Sequence, residues 1–293
     1  MPETENIHYK NYILLIIILF LSVVNVFLFW TDFQSSKRGL TFAMLDIGQG
    51  DGLFIESPNG TQIMFDAGPA RSVLGPLARV TSPFDKTIDA IVITNPDADH
   101  IGGFIDILKN YKVGAVLEPG TFNDSKTYQN LKAEIQKQKI PNILVKKGMR
   151  LNMGHGVLID ILFPDRDVST WNSNDGSAVA RLSYGATSVM LTGDASVKTE
   201  RIILEDNNLA QLKSTILKVG HHGSRTSSST SFVKAVSPAY ALVSDGKDNK
   251  YGHPHKETLT TLTQLGVKTL RTDLLGTIIM KSDGKNELFS FQK

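Results

Sequence analysis

Short apolar runs separated by turn residues recur along the chain from residue 40 onward. Runs of roughly four to eight residues rich in Val, Ile, Leu and Phe predict β-strands. The Ser-Pro-Asn-Gly turn at 57–60 lies between two such runs and indicates a β-hairpin. The predicted strands are 40–47, 53–56, 62–65, 88–93, 157–163, 178–184, 188–192, 215–219, 239–244, a short run near Lys268, 276–281 and 287–291.

Amphipathic patterns typical of helices alternate with these strands. The hairpin and the strand–helix units occur together, which indicates an α/β fold with two layers of sheet and helices outside. A purely parallel, doubly wound sheet would lack the hairpins. The predicted helices are 103–110, 125–139, 197–206, one that begins near Phe232, and 256–264.

The N-terminal apolar run at 13–30 is interrupted only by Ser22 and Asn25. Its length reaches the lower limit for crossing a bilayer, about 17 residues, so the run predicts one transmembrane helix. A cleaved signal peptide is the alternative, but no small-residue cleavage site follows Trp30. Charges on the two sides are nearly balanced, so the positive-inside rule leaves the orientation open. The predicted organisation is a tail at 1–12, the anchor at 13–30, a linker at 31–39 and one domain at 40–293.

The composition limits the kinds of metal ligand and of binding partner that the chain can have. The 293 residues include no cysteine, so a metal site would use oxygen and imidazole ligands. The formal net charge of +2 is too small to indicate a nucleic-acid-binding protein by itself. Seven basic residues stand against Glu134 between 126 and 150. They are explained either by a solvated helix face or by a nucleic-acid track.

The loop at 94–100 carries Asp97, Asp99 and His100 directly after the predicted strand 88–93. Side chains between a strand and a helix are held by rigid elements on both sides, which suits divalent metal binding. The alternative is an acidic turn that caps the helix, because Asp is favoured at helix N-termini.

Three further clusters follow predicted strands: Asp194 after 188–192, the pair His221 and His222 after 215–219, and the segment 249–255 after 239–244. One acid at a strand end is usually a cap or a core group. Several strand ends meet at one edge of a layered α/β fold, however. Hard oxygen and imidazole ligands gathered at that edge indicate a dinuclear hydrolytic site.

Five segments in this order resemble one family: 45–51 (LDIGQGD), 97–100 (DADH), 191–194 (LTGD), 218–224 (KVGHHGS) and 249–254 (NKYGHP). Together they are similar to the metallo-β-lactamase superfamily, and in particular to the metallo-hydrolase domain of ComEC-like competence proteins. The resemblance covers roughly 40–293. It implies an αββα sandwich with metal ions at the edge of its two sheets.

The resemblance also implies a set of ligands. Asp99 and His100 would hold the second metal ion, with Asp194 bridging and His221 completing the set. Asn95 departs from the pattern, because the family usually has histidine there, and Asn174 is more consistent with a structural role. Zn²⁺ or Mn²⁺ would bind, one or two ions per chain, and the oxygen-rich set also suits Mg²⁺. The predicted metal ligands are Asn95, Asp97, Asp99, His100, Asp194 and His221.

The predicted catalytic residues are Asp99, His222 and His253. His222 is either a partner of the metal ligands or a solvent-facing residue. His253 is either a proton donor to the leaving oxygen or part of a turn. Gln49 and Asp51 lie in a Gly-rich loop. This loop either approaches a phosphate of the substrate or is a simple β-turn.

The resemblance implies a membrane-anchored, metal-dependent hydrolase, namely a phosphodiesterase or nuclease acting on DNA during DNA uptake. Its expected partners are DNA or another phosphodiester, the membrane through the N-terminal helix, and a separate DNA-uptake channel. The expected location is the cell membrane, with the catalytic domain extracytoplasmic. The alternatives are a small-molecule metallo-hydrolase and a catalytically weakened protein that binds DNA or a partner.

Overall fold

The computed structural model describes residues 3–36 and 39–293, with side chains described for 11–27 and 39–293. Fifteen strands lie in the described part of the chain. They are β1 (Leu40–Met44), β2 (Gly52–Glu56), β3 (Gln62–Ala67), β4 (Thr87–Val92), β5 (Lys112–Glu118), β6 (Asn142–Leu144), β7 (Arg150–Asn152), β8 (Leu158–Phe163), β9 (Val179–Tyr184), β10 (Thr187–Leu191), β11 (Ile216–Lys218), β12 (Tyr240–Val243), β13 (Lys268–Arg271), β14 (Thr277–Ser282) and β15 (Glu287–Gln292).

Helices flank these strands along the chain. A short 3₁₀ helix at Gly220–Gly223 follows β11. The α-helices of the described residues are α1 (Glu3–Ser36), α2 (Leu74–Val80), α3 (Ala98–Ile101), α4 (Phe104–Asn110), α5 (Lys126–Lys137), α6 (Val197–Asp206), α7 (Leu209–Leu212), α8 (Thr230–Val236), α9 (Lys256–Gln264) and α10 (Thr272–Leu275).

The strands form two sheets. The first has the order β15-β14-β1-β2-β3-β4-β5-β6, and the second has the order β13-β12-β11-β10-β9-β8-β7. Strands β3 to β6 are parallel to one another, and so are β10 to β13. The loops that leave the carboxyl ends of parallel strands emerge at one edge of a sheet. The predicted site residues follow β4, β10, β11 and β12, so the topology delivers them to such edges.

The inter-sheet core follows from strand periodicity. Successive side chains of a strand point to opposite faces, and β1 is buried on both faces. Its residues Phe42 and Met44 pack between the sheets against Leu182 and Leu242 of the second sheet. Its residue Ala43 belongs instead to the core on the other face.

Helices cover the outer face of each sheet. On the first sheet, Phe104 of α4 and Leu131 of α5 pack against strand residues such as Ile91. On the second sheet, Ile203 of α6 and Phe232 of α8 do the same. The predicted α/β fold with two sheet layers and helices outside is therefore confirmed.

The N-terminal part differs from the sequence expectation. Helix α1 covers the predicted anchor 13–30 and much of the predicted linker 31–39, because no glycine or proline interrupts residues 3–38. Residues 28–30 of the predicted anchor have side chains outside the described part, and linker residues 37–38 lie outside it altogether. Among the residues that are described, no helix combines the length and the apolar character needed to cross a membrane.

Several local elements were not predicted. The hydrophobic pattern missed β5, β6 and β7 and the short helices α2, α7 and α10. The predicted strand 40–47 ends early, at Met44, because Gly48 and Gly50 have φ angles of 76° and 128° that turn the chain away from the sheet. Gly50 also lies against the Asp99 carbonyl, where a Cβ would overlap. The Gly-rich loop is thereby packed directly on the loop that carries the acidic motif.

Candidate metal centre

Strand β4 and helix α3 hold the acidic motif between them. Asp97 precedes α3, and Asp99 and His100 lie within its single turn. His100 is fully buried, whereas 36% of the Asp99 side chain is exposed. The motif therefore presents one buried imidazole and one half-exposed carboxylate.

The His100 ring is fixed by a buried acid. Its Nδ1 lies 2.8 Å from the Oδ2 of Asp66, at the end of β3. Asp66 also accepts hydrogen bonds from the backbone N–H and the hydroxyl of Thr94. A carboxylate on one imidazole nitrogen sets the tautomer and frees the other nitrogen as a ligand. The free Nε2 of His100 lies 3.1 Å from Asp194 Oδ2.

His221 and His222 sit on strained backbone within the 3₁₀ turn after β11. Their φ angles are 49° and 54°, in the left-handed region that costs a non-glycine residue about 1–3 kcal/mol. His222 Nδ1 is 3.0 Å from the Ser244 carbonyl, and His221 Nδ1 is 3.2 Å from the Thr226 hydroxyl. Each ring is thus fixed through Nδ1 and presents Nε2.

Three imidazoles converge on one carboxylate oxygen. The Nε2 atoms of His100, His222 and His221 lie 3.1, 3.6 and 3.7 Å from Asp194 Oδ2. His222 Nε2 also lies 3.5 Å from Asp99 Oδ2. The structure therefore brings four predicted metal ligands, Asp99, His100, Asp194 and His221, and the predicted catalytic residue His222 around a common point.

The donor set fits a divalent ion. Asp99, His100 and His222 each offer one ligand atom, and these atoms lie within 4.8 Å of one another. Asp194 and His222 form a second such group with Asp51. The Nε2 atoms of His100 and His222 are buried without a hydrogen-bond partner, as is Asp194 Oδ1. Buried polar atoms normally have a partner, so two imidazole nitrogens and a carboxylate oxygen without one fit the ligand set of a divalent cation.

The carboxylates and imidazoles around Asp194 shift one another's pKa values. Burial lowers the pKa of His222, but the carboxylates of Asp194 and Asp51 outweigh it and raise the pKa to about 10. Burial also opposes protonation of His100, yet Asp194 and Asp66 raise the pKa of its imidazole well above the usual range. Burial would raise the pKa of Asp194, but His100 and His222 hold it well below its ordinary value. A bound cation would replace the two imidazole protons.

Asn95 and Asp97 are engaged elsewhere. Asn95 is fully buried, and its side-chain oxygen accepts the Asp97 N–H at 2.9 Å. The two carboxylate oxygens of Asp97 accept hydrogen bonds from Asn123 and from Ser173, at 3.0 and 2.9 Å. The structure thus ties both residues into the loop network, and Asp97 does not belong to the groups of candidate ligand atoms around His222.

His253 lies at the mouth of the site. A cavity of about 210 Å³ opens there, and Tyr251 stacks on the His253 ring at 5.7 Å. Burial and the neighbouring imidazoles lower the pKa of His253 to about 4, so its ring is neutral at neutral pH. The cavity is lined by Gln49, Asp97, Asp99, Asn174, Asp194, His221, His222, Tyr251 and His253.

Known proteins share this arrangement of segments. Residues 45–244 match the metallo-β-lactamase superfamily, more than half of the chain. The chain belongs to the metallo-β-lactamase superfamily. The match begins in the Gly-rich loop and ends at Ser244. The carbonyl oxygen of Ser244 accepts a hydrogen bond from His222 Nδ1.

Within the superfamily, the similar curated proteins include competence proteins, as the sequence motifs predicted. The chain is 31% identical over 271 residues to ComE operon protein 3 of Bacillus subtilis. The aligned region covers 84% of this chain and 34% of the relative. It is 30% identical over 234 residues to competence protein ComA of Neisseria gonorrhoeae, over 80% of this chain and 31% of that one. The chain spans about a third of the length of these relatives.

Solved structures share the superfamily fold. The metallo-β-lactamase fold protein YhfI of Bacillus subtilis has a TM-score of 0.52 at 14% identity, over 79% of this chain and 95% of that one. CmlA of Streptomyces venezuelae, a diiron β-hydroxylase, has a TM-score of 0.54 at 15% identity, over 84% and 54%. These likenesses concern the fold.

Two residues of this metal centre were not among the predicted site residues: Asp66 lies outside the quoted motifs, and Lys218 begins the 218–224 motif but had no role assigned to it. Asp66 and Lys218 both lie in otherwise apolar strands and are fully buried. A charged residue inside a buried strand requires a partner, so the polarity of these two positions was the available signal. Asp51, considered only as a phosphate-facing or turn residue, is 1% exposed and contacts both Lys218 and His222.

Proposed function

We propose that this chain is a metal-dependent phosphodiesterase that cleaves DNA. The observation that carries the proposal is the convergence of the His100, His222 and His221 Nε2 atoms on Asp194 Oδ2. Superfamily membership supports a metal-dependent hydrolase. The substrate assignment goes further and rests on the kind of relatives and on the open face of the site.

His100, His222, Asp99 and Asp194 would hold the ion. Neutral imidazole and carboxylate oxygen suit Zn²⁺ and Mn²⁺. A divalent ion at this position would supply Lewis-acid chemistry to a phosphoryl oxygen. The half-exposed Asp99 faces the cavity, so substrate approaches from its side.

The geometry favours one ion per chain. Both Asp97 carboxylate oxygens and the Asn95 carbonyl oxygen already accept hydrogen bonds from the protein. These hydrogen bonds hold both side chains in the loop network, so we assign neither residue to the ion. His222 replaces His221 in the ligand set we propose, because its buried Nε2 lies near both Asp99 and Asp194, whereas a quarter of the His221 side chain is exposed.

His253 would accept or share a proton at the cavity mouth. Its low pKa keeps the ring neutral at neutral pH, so it is a hydrogen-bonding group or a proton acceptor. The proton-donor role expected from the sequence requires the charged ring, which the surrounding imidazoles disfavour. Its Nδ1 is buried without a hydrogen-bond partner and is available to a group entering the cavity.

Two further observations bear on DNA as the substrate. Two relatives have names that refer to competence and to recombination, and both processes act on DNA. Arg225, three residues after His222, is 66% exposed, and its 3.9 Å contact with the exposed carboxylate of Glu257 is longer than the ion pairs of the basic segment, so we assign Arg225 to a phosphate of the substrate. The basic segment 126–150 contributes less, because Lys132, Lys137, Lys147 and Arg150 each pair with a carboxylate of the chain.

The experiment is a cleavage assay with the full chain, linear DNA and Mn²⁺. Cleavage by the wild type and its loss in Asp194→Asn would support the proposal. Asp124→Ala is the matched control, because Asp124 is an exposed acid on a neighbouring loop and its removal should leave cleavage unchanged. Hydrolysis of a small chromogenic phosphodiester or of a β-lactam without DNA cleavage would favour the small-molecule alternative. Metal binding without any hydrolysis would favour the binding-protein alternative.

The location of the domain belongs to the same proposal. A DNA-uptake role places the site outside the cytoplasm, at the cell membrane and next to a separate channel for DNA. Protease accessibility of the domain in intact spheroplasts tests this placement, with a cytoplasmic protein as the protected control. Protection equal to that of the control would contradict it.

A further inference from the structure

Beneath the metal centre lies a buried ion pair that has no access to substrate. Lys218 on the interior strand β11 is 0% exposed, and Asp51 in the Gly-rich loop is 1% exposed. The Lys218 ammonium contacts the Asp51 carboxylate directly. Because both groups are excluded from the cavity, any effect on the reaction must pass through other residues.

Lys218 reaches the Asp194 loop as well. Its ammonium donates a hydrogen bond to the Gly193 carbonyl at 2.9 Å, and it lies 3.9 Å from Asp194 Oδ1. Oδ1 has no hydrogen-bond partner, while Oδ2 faces the imidazoles. A cation on the Oδ1 side therefore orients the Asp194 carboxylate with Oδ2 toward the metal position.

Asp51 reaches the two histidines. One of its carboxylate oxygens lies 3.3 Å from His222 Nδ1, and the other lies 3.9 Å from His100 Nδ1. Its backbone N–H donates to the Asp99 carbonyl at 3.2 Å. Asp51 therefore touches three of the four residues that we assign as ligands.

We propose that the Lys218–Asp51 ion pair is a positioning device that orients Asp194 and His222 for metal binding. It joins the Gly-rich loop, the end of β10 and strand β11, three segments far apart in sequence. A purely structural role would not need charge here, because apolar residues of similar volume often replace a buried ion pair without loss of stability. The inference rests on the metal centre of the proposed function.

The test compares Mn²⁺ affinity in the full chain by titration calorimetry, without any nucleic acid. Lys218→Met removes the ammonium and keeps an apolar stem of similar length. Removal of an outer partner of metal ligands lowers metal affinity by about 10- to 100-fold, and we expect that loss. Lys132→Met is the matched control, since it breaks the ion pair with Glu118 on the other sheet and should leave affinity within about twofold of the wild type.

A second variant separates positioning from stability. Lys218→Met alone leaves the Asp51 charge buried and unpaired, which destabilises the fold. The double variant Lys218→Met with Asp51→Asn removes both charges and should recover thermal stability. We expect its Mn²⁺ affinity to remain about 10- to 100-fold low and its Co²⁺ complex to show an altered visible absorption spectrum.

Wild-type affinity and an unchanged Co²⁺ spectrum in the double variant would overturn the positioning role, and the metal centre would stand. Failure of the wild type itself to bind Mn²⁺ or Co²⁺ would overturn both proposals. The two failures are thus distinguishable within one set of titrations.

Discussion

His100 Nδ1 and Asp66 Oδ2 lie 2.8 Å apart in a part of the protein that is closed to solvent. The contact joins strand β3 to the turn of α3 and directs the opposite nitrogen of the ring toward Asp194. Asp66 contacts the Nδ1 side of the His100 ring, whereas the proposed ion lies on the Nε2 side, next to Asp194. Asp66 acts on the metal centre through the orientation of His100.

Asp66→Asn should weaken metal binding by about 10- to 100-fold, because the amide no longer fixes the charge and tautomer of His100. Calorimetric titration with Mn²⁺ measures the effect. Asp89→Asn is the control: Asp89 also accepts a backbone N–H, from Gln62, but lies away from the site. Equal affinity in the wild type and Asp66→Asn would contradict the assigned role.

His222→Ala should reduce DNA cleavage at least about 100-fold, because the variant lacks a ligand of the proposed ion. His221→Ala should be milder, since its more exposed ring lies beside the ligand set. Initial cleavage rates at saturating Mn²⁺ provide the comparison. His155→Ala, on a distant exposed loop, should match the wild type. A larger loss in His221→Ala than in His222→Ala would exchange the two roles.

The contrast between His221 and His222 shows where the sequence was insufficient. The KVGHHGS segment predicts an imidazole at the site, but neighbouring residues in a turn point in different directions. The folded structure is needed to show that His222 Nε2 lies 3.5 Å from Asp99 Oδ2, while His221 Nε2 lies 3.7 Å from Asp194 Oδ2. In the same way, the motif predicts a carboxylate at Asp97, and its bonds to Asn123 and Ser173 come from segments far away in sequence.

The predicted fold depended on patterns that are local. Strand and helix periodicity predicted α6 and α9 with their observed bounds, and it predicted two sheet layers. Strand β6 is three residues long and has no buried side chain, so no periodicity marks it. The charge of Lys218 in an otherwise apolar strand indicates that it needs a partner, but only the folded structure shows that this partner is Asp51.

Metal uptake should release protons. In the metal-free protein the pKa of His222 is about 10 and that of His100 is raised, so both rings are in the positively charged, doubly protonated form at pH 7. A metal ion binds the neutral imidazole, so affinity should rise with pH until about pH 10. Titration at pH 7 in two buffers of different ionisation enthalpy counts the protons. Equal binding enthalpies in the two buffers would show that no proton is released.

His253→Gln should lower the cleavage rate by about 100-fold or more, because a proton-accepting group at the cavity mouth is removed. Metal content should not change, since His253 is not a proposed ligand. His255→Gln is the control: its ring lies 4.8 Å from His253 but outside the cavity lining. A parallel loss of metal in His253→Gln would place this residue among the ligands instead.

Phe42→Ala should lower the free energy of unfolding by about 3–5 kcal/mol, because it opens a cavity in the fully buried layer between the two sheets. Phe84→Ala is the control, since that ring is 94% exposed and its loss should change stability by less than about 0.5 kcal/mol. Urea unfolding of both variants gives the values. Similar values for both would contradict the two-sheet core.

The proposed function depends most on where the metal ion binds. Anomalous scattering from crystals of the full chain loaded with Mn²⁺ or Zn²⁺ locates it directly. We expect one ion per chain, about 2.0–2.2 Å from the Nε2 atoms of His100 and His222 and from carboxylate oxygens of Asp99 and Asp194. An ion bound by Asp97 and His221 without His222, or no ion at this edge of the sheets, would contradict the account.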